Sequence, residues 1–167
     1  MNYCSSCGAP VRLRTPEGDN RPRHVCDNCG VIHYQNPKVV AGCIAEWGEQ
    51  ILLCRRAIEP RYGYWTLPAG FLENGEATYA GAERETLEEA NARVRAVQLF
   101  AEFSLPHIDQ VYMLYRGELL DLDFGPGDES IDVRLFAEHE IPWQQLAFQV
   151  IRETLRLYFE DRAAGGF

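Results

Sequence analysis

Apolar positions along this chain fall into short runs with a period of two, interrupted by stretches with a helical period, so strands and helices alternate. Val39–Glu46 and Gln50–Arg56 read as two strands joined by a tight connection at Gly48. Val94–Phe103 and Gln110–Glu118 are two more, the second setting Val111, Met113 and Tyr115 against Tyr112, Leu114 and Arg116. Ile131–Phe136 is a further strand. The stretch Gly70–Ala92 carries a helical period, with Ala80, Leu87, Ala90 and Val94 on the face expected to pack on a core. Glu140 to Trp143 opens a second helical region, where Pro142 sits early enough that its missing N–H is harmless. Ala147, Ile151, Leu155 and Tyr158 follow at helical spacing as core contacts, and the tail Ala163–Phe167 is expected to fray. Strands interleaved with helices place the chain in the α/β class.

Gln35-Asn36-Pro37 interrupts this pattern, because proline and the residue before it disfavour helix. It divides the chain into 1–36 and 37–167. The first part is organised by cysteine. Cys4-Ser-Ser-Cys7-Gly8 and Cys26-Asp-Asn-Cys29-Gly30 are two knuckles separated by eighteen residues, the spacing of a four-cysteine zinc site. A segment of about 35 residues holds too small a core to fold alone, so Zn²⁺ would supply its folding energy, in a full and therefore structural site. A redox dithiol would not need the second matched pair. His24 and His33 flank the knuckles without being required as ligands, and Thr15–Pro22 reads as the exposed tip of a ribbon. Arg12, Arg14, Arg21 and Arg23 suggest nucleic-acid contact, but Glu17, Asp19 and Asp27 dilute them, which favours a packing or dimer-forming role. Cys43 and Cys54 lie within apolar runs and read as small buried hydrophobes.

The chemistry concentrates on Arg84, Glu85, Glu88 and Glu89. Helical steps of about 100° put i, i+3 and i+4 on one stripe, so the three carboxylates share a face, where like charges repel unless a cation lies between them. Mg²⁺ and Mn²⁺ take such oxygen ligands. Spacing alone leaves a solvated acidic face as the competing reading. The surrounding pattern overturns it. Gly70, Glu76, Arg84, Glu85, Glu88 and Glu89 fall in the register Gly-x5-Glu-x7-Arg-Glu-x2-Glu-Glu, and in this the chain resembles the Nudix hydrolases. Thr86 and Ala92 stand where that box has aliphatics, and Asn91 where it has its last glycine; Asn is second to Gly at a helix C-terminus. Trp65-Thr-Leu-Pro-Ala-Gly70 extends the resemblance upstream of the box.

The resemblance implies an α/β/α sandwich with a mixed sheet, preceded here by the small zinc ribbon. It implies catalytic Mg²⁺ or Mn²⁺ on Glu85, Glu88 and Glu89, Arg84 orienting those carboxylates, Glu76 pairing with Arg84, and Gly70 allowing close backbone approach. Several such diphosphatases use a loop glutamate outside the box, which nominates Glu129 in Phe124-Gly-Pro-Gly-Asp-Glu-Ser130. Arg55 or Arg56 could reach a substrate phosphate, with a surface arginine at a strand end as the equal alternative. Phe103 and His107 could line a base or isoalloxazine pocket, against the alternative of an exposed turn.

QNPK before the first core strand, CRR in the second, WTLPAGFLE and the late GPGDES-x5-LF together resemble the FAD and ADP-ribose diphosphatase branch related to plant plastid enzymes. An NADH diphosphatase is the alternative, and the SQPWPFP-type motif of those enzymes is absent. A nucleotide-sensing or nucleic-acid-binding protein without catalysis is the alternative of another class, and loss of box carboxylates, which would favour it, has not occurred. The net charge of -9 disfavours a general nucleic-acid or anionic-membrane surface. No apolar run approaches the roughly 20 residues of a membrane span, so a cytoplasmic location is expected, and the fold permits a homodimer.

Overall fold

Two cysteine knuckles and three short strands make up Met1–Pro37, the first of two units in the computed structural model, which describes residues 1–167. Val11–Arg14 (β1), Arg23–Cys26 (β2) and Ile32–His33 (β3) pair antiparallel in that order. Asp19 closes the tip between β1 and β2. Its carboxylate accepts the amides of Asn20 and Arg21 and the Nε of Arg23, the last at 2.9 Å. Only Cys4, Pro16, Val25 and Cys26 are buried in this unit, too little apolar surface to hold it closed.

The second unit, Lys38–Phe167, is built on a mixed sheet. Its elements are Lys38–Trp47 (β4), Gln50–Arg56 (β5), Trp65–Thr66 (β6), Ala69–Phe71 (β7), Thr78–Ala90 (α1), Val94–Leu105 (β8), Gln110–Leu119 (β9), Ser130–Phe136 (β10) and Gln149–Ala163 (α2). The strand order is β10-β5-β4-β9-β8, with β6 added to β5 and β7 to β4. β4 and β9 run parallel and the other pairs antiparallel. Side chains alternate across a strand, and β4 and β5 use both faces. Ile44, Ile51 and Leu53 join Trp65, Leu67 and the α2 residues Val150, Ile151, Leu155 and Tyr158 in one core. Ala41, Cys43, Ala45, Leu52 and Cys54 join Ala82 and Ala90 of α1 in the other. The sheet therefore lies between its two helices, as an α/β/α sandwich.

The α1 core is made of small residues, which changes the expected face of that helix. Gly81, Ala82, Glu85, Thr86, Glu89 and Ala90 are buried, while Leu87 is 49% exposed. Close approach of α1 to Ala41, Cys43 and Ala45 leaves no room for a leucine, and two of the carboxylates are turned inward. Thr86 is accommodated because its hydroxyl donates to the Ala82 carbonyl at 2.7 Å.

Two further expectations are corrected. Pro142 precedes only a short 3-10 turn over Trp143–Gln145, and α2 starts at Gln149. Between them Leu146 bridges to Trp65, and the Ala147 amide donates to the Trp65 carbonyl, which holds the chain extended. The tail does not fray. The Gly166 amide donates to Asp161, and Phe167 packs 5.3 Å from the Tyr158 ring and under the guanidinium of Arg116. An aromatic residue there finds an apolar surface and a cation together.

The two leucines provide a test by chemical denaturation. Leu155→Ala, at a fully buried site, is expected to destabilise the protein by about 2–5 kcal/mol. Leu87→Ala is expected to stay within about 0.5 kcal/mol of wild type, as at an ordinary surface site.

Candidate active site

β7 and α1 meet at Gly70, and the contact is closer than any side chain at that position would permit. A Cβ on Gly70 would lie 2.3 Å from the Glu85 carboxylate. One residue earlier, the Ala69 amide donates to Glu89 Oε2 at 3.3 Å. Arg84 closes the cluster. Its Nε and Nη2 grip both oxygens of Glu76, at 2.8 and 3.0 Å, and Nη2 also donates to the Phe71 carbonyl. Its Nη1 donates to Glu85 at 2.7 Å and to Glu88 at 2.9 Å. A planar guanidinium suits this bidentate task in a way an ammonium could not. Glu76 is in turn fixed by the Glu73 amide at 3.1 Å, so one arginine ties the loop before α1 to the carboxylates on it.

α1 ends at Asn91, which takes the left-handed conformation (φ 48°) with its amide donating to Leu87. The loop after β9 returns to this helix end. Gly125 and Gly127 donate their amides to the carbonyls of Ala90 and Glu89, at 2.8 and 3.0 Å. A Cβ on Gly127 would fall 1.8 Å from the Glu88 carbonyl oxygen, so only glycine permits that approach. This contact delivers Asp128 and Glu129 to the site, and the Glu129 carbonyl is held by the Ala57 amide at 2.8 Å.

The result is a cleft of about 720 Å³ whose walls carry six carboxylates, from Glu73, Glu85, Glu88, Glu89, Asp128 and Glu129, against two arginines, Arg56 and Arg84. Glu85 and Glu89 are nearly buried, at 9% and 7% exposure. Burial raises the Glu85 carboxyl above its ordinary range despite Arg84. Burial, aided by Glu85 and Glu129, pushes Glu89 up to about 8. Glu76 moves the other way, lowered by its bonds to Arg84. A pair of buried, oxygen-only ligands that resist ionisation without a counter-charge fits a hard divalent cation.

Several sequence-nominated residues share this cleft: Gly70, Arg84, Glu85, Glu88, Glu89, Arg56 and Glu129 all line it. Others lie elsewhere. Arg55, adjacent to Arg56 on β5, points to the other side, bonds the Gly63 carbonyl at 2.8 Å and lines a separate depression with Tyr62, Tyr64 and Gln145. Phe103 packs on the α2 core, and His107 lies exposed in a 3-10 turn; neither lines the cleft. Asn91 is more than a helix cap. Its side-chain amide donates to Pro126 at 2.9 Å, a contact for which no local sequence signal exists.

In the first unit the sulfurs of Cys4, Cys7, Cys26 and Cys29 lie within 4.8 Å of one another without a disulfide. Neighbouring pairs are 3.5 and 3.6 Å apart, near the edge of about 3.8 Å that a ZnS₄ tetrahedron requires. Gly8 and Gly30 take positive φ and donate their amides to Cys4 and Cys26, so each knuckle closes on itself. Burial works against a Cys4 thiolate, but the Ser6 and Cys7 amides and His33, 3.3 Å away, bring it down to about 6. At Cys29 the Val31 amide favours the thiolate and is outweighed by the neighbouring sulfurs, which push it up to about 12. A divalent cation would let all four ionise together.

An α/β/α sandwich with a carboxylate-bearing helix opposite a glycine loop defines a class, and sequence comparison names it. The Nudix N-terminal zinc-ribbon profile matches residues 2–35 and the NUDIX domain profile residues 36–158. The chain belongs to the Nudix family. Its fold matches the crystal structure of a NUDIX hydrolase from Nitrosomonas europaea with a TM-score of 0.96 and 61% identity, over 99% of this chain and 94% of that one. Among curated relatives it is 28% identical to the NAD-capped RNA hydrolase NudC of Stutzerimonas stutzeri, across 96% of this chain and 56% of that protein. It is 27% identical to an ADP-ribose pyrophosphatase of Methanocaldococcus jannaschii, across 74% of this chain and 76% of that one. The chain thus spans little more than half the length of its NudC relatives. No helix is long and apolar enough to cross a membrane.

The raised carboxyls set a pH dependence. Glu89 has a folded-state value of about 8 against an ordinary 4.5, and Glu85 shifts the same way. The folded state holds more protons between these limits, so the stabilisation is complete below about pH 4.5 and is lost as pH rises through about 8. Glu76, shifted downward, acts below this window. With Zn²⁺ retained and no Mg²⁺ or Mn²⁺ added, the melting temperature is expected to fall from pH 5.5 to 8.5, and millimolar Mg²⁺ is expected to flatten that slope; Glu89→Gln should flatten it without Mg²⁺.

Proposed function

We propose that this protein is a divalent-metal-dependent diphosphatase that cleaves the anhydride of an adenosine diphosphate linked to a second group, with FAD and ADP-ribose as substrates. FAD would give FMN and AMP; ADP-ribose would give AMP and ribose 5-phosphate. The carrying observation is the charge of the cleft. A diphosphate is repelled by six carboxylates facing two arginines unless cations intervene. Glu85, Glu88 and Glu89 would hold Mg²⁺ or Mn²⁺, which when bound neutralises phosphate charge and makes water a better nucleophile at neutral pH.

The chain's own residues do the remaining work. Arg84 presents the carboxylates in a fixed array and, gripped by Glu76, cannot swing away to the substrate. Arg56 is set by its bond to the Pro60 carbonyl and by Phe148 beneath its guanidinium, and serves as the phosphate contact. Glu129, on a loop apart from α1, accepts the proton of the attacking water. The water oxygen joins one phosphorus, the bridging P–O bond breaks, and the bridging oxygen leaves with the other phosphate. In the ribbon, Cys4, Cys7, Cys26 and Cys29 would hold a structural Zn²⁺.

A second reading keeps this mechanism and changes the substrate. The curated relatives include NAD-capped RNA hydrolases, which favours a nicotinamide dinucleotide or an RNA end carrying one. The ADP-ribose pyrophosphatase relative and the GPGDES segment favour the first reading.

Product-resolved hydrolysis of FAD, ADP-ribose, NADH and NAD-capped RNA with Mg²⁺ and Mn²⁺ tests both. AMP is expected from FAD or ADP-ribose, with kcat lowered on the order of 100-fold or more in Glu88→Gln. Preference for NADH or capped RNA would replace the substrate, and no turnover of any would refute the enzyme. Elemental analysis is expected to find one Zn²⁺ per chain, lost in Cys26→Ser together with native hydrogen-exchange protection of residues 2–35.

A further inference from the structure

The box of this chain departs from its family pattern at Asn91, and the structure gives that departure a use beyond capping. As a left-handed residue at the end of α1, Asn91 satisfies the Leu87 carbonyl through its backbone, which a glycine would do equally well. Its side chain does something a glycine cannot. Nδ2 donates to the Pro126 carbonyl at 2.9 Å and approaches the Gly125 carbonyl at 3.4 Å. Proline has no N–H, so Pro126 cannot itself donate to the helix end as Gly125 and Gly127 do. The Asn91 amide fills that gap, and three consecutive loop residues are thereby fastened to the last turn of α1.

We propose that Asn91 is a positioning residue that fixes the reach of the Gly125–Glu129 loop and so sets the place of the Glu129 carboxylate against Glu85 and Glu89. The inference rests on the role given above to Glu129. That carboxylate sits two residues beyond the last fastened amide and lines the same cleft as Glu85 and Glu89. Without the Asn91 amide the loop keeps its two glycine amides and the Ala57 bond to the Glu129 carbonyl, but Pro126, between those two amides, is left with no bond to the helix end. Displacement of a proton acceptor by even 1 Å is enough to lower a rate by one or two orders of magnitude.

Asn91→Gly separates the two roles, because it preserves the cap and removes only the amide. Its melting temperature is expected to stay within about 2 °C of wild type. With ADP-ribose and with FAD, kcat is expected to fall on the order of 10-fold while KM stays within about twofold. Asn91→Asp, which tolerates the same backbone but turns an acceptor towards two carbonyls, is expected to lose at least as much. The double variant Asn91→Gly/Glu129→Gln is expected to be no slower than Glu129→Gln alone. Hydrogen exchange at the Gly125 and Gly127 amides is expected to quicken in Asn91→Gly, a readout that needs no substrate.

Wild-type kcat in Asn91→Gly, unchanged exchange at those amides, or a loss that multiplies that of Glu129→Gln would each overturn the inference while leaving the role of Glu129 intact. Wild-type kcat in Glu129→Gln would remove the role of Glu129 itself, and this inference with it.

Discussion

The Arg84 guanidinium is the interaction on which the site depends. Three glutamates within two turns of one helix would splay apart or take up protons, and two of these are nearly buried. Arg84 touches two of them, Glu85 and Glu88, and spends its other edge on Glu76, so that the strap before α1 and the helix itself share one positive charge. The loop could be ordered or the carboxylates gathered by separate devices, but here one side chain does both. Glu89, out of reach of Arg84, is left with its carboxyl raised, by burial first and by Glu85 second.

Close approach without side chains is the second theme. Gly70 lets Glu85 lie against strand backbone, and Gly127 lets a distant loop rest on the end of the same helix. Ala82 and Ala90 keep α1 near Ala41, Cys43 and Ala45 on the sheet. The acidic helix is thus positioned from three sides by residues that contribute almost no volume. Its placement owes more to steric permission than to hydrophobic attraction, whereas α2 is held by large apolar residues.

Much of this was legible in the sequence, and the limits have physical causes. Strand periodicity located β4, β5, β9 and β10 to within a residue or so, because half-buried strands must alternate. The carboxylate register was readable because helical geometry alone puts Glu85, Glu88 and Glu89 on one side. The inward turn of Glu85 and Glu89 is not legible, since it contradicts the polarity by which a buried face is recognised, and the outward turn of Leu87 is hidden for the same reason. Arg55 and Arg56 could not be told apart because alternation separates adjacent residues without saying which face holds the cleft. Phe103 and His107 suit a ring-binding pocket chemically, and only the fold shows one packed on the α2 core and the other out on a turn. Asn91 illustrates the remaining gap: its partner, Pro126, lies 35 positions along the chain.

β4 carries one more implication. Like β5 it contributes to both cores, yet its parallel partner, with Lys38 opposite Gln110, is made only after α1 and β8. During synthesis β4 therefore waits, with its edge unsatisfied, for a segment not yet translated. The face it will turn to α1 meanwhile shows Ala41, Cys43 and Ala45. The small residues that let the acidic helix come close in the finished protein also leave little apolar bulk on that face of β4 before α1 has formed to cover it.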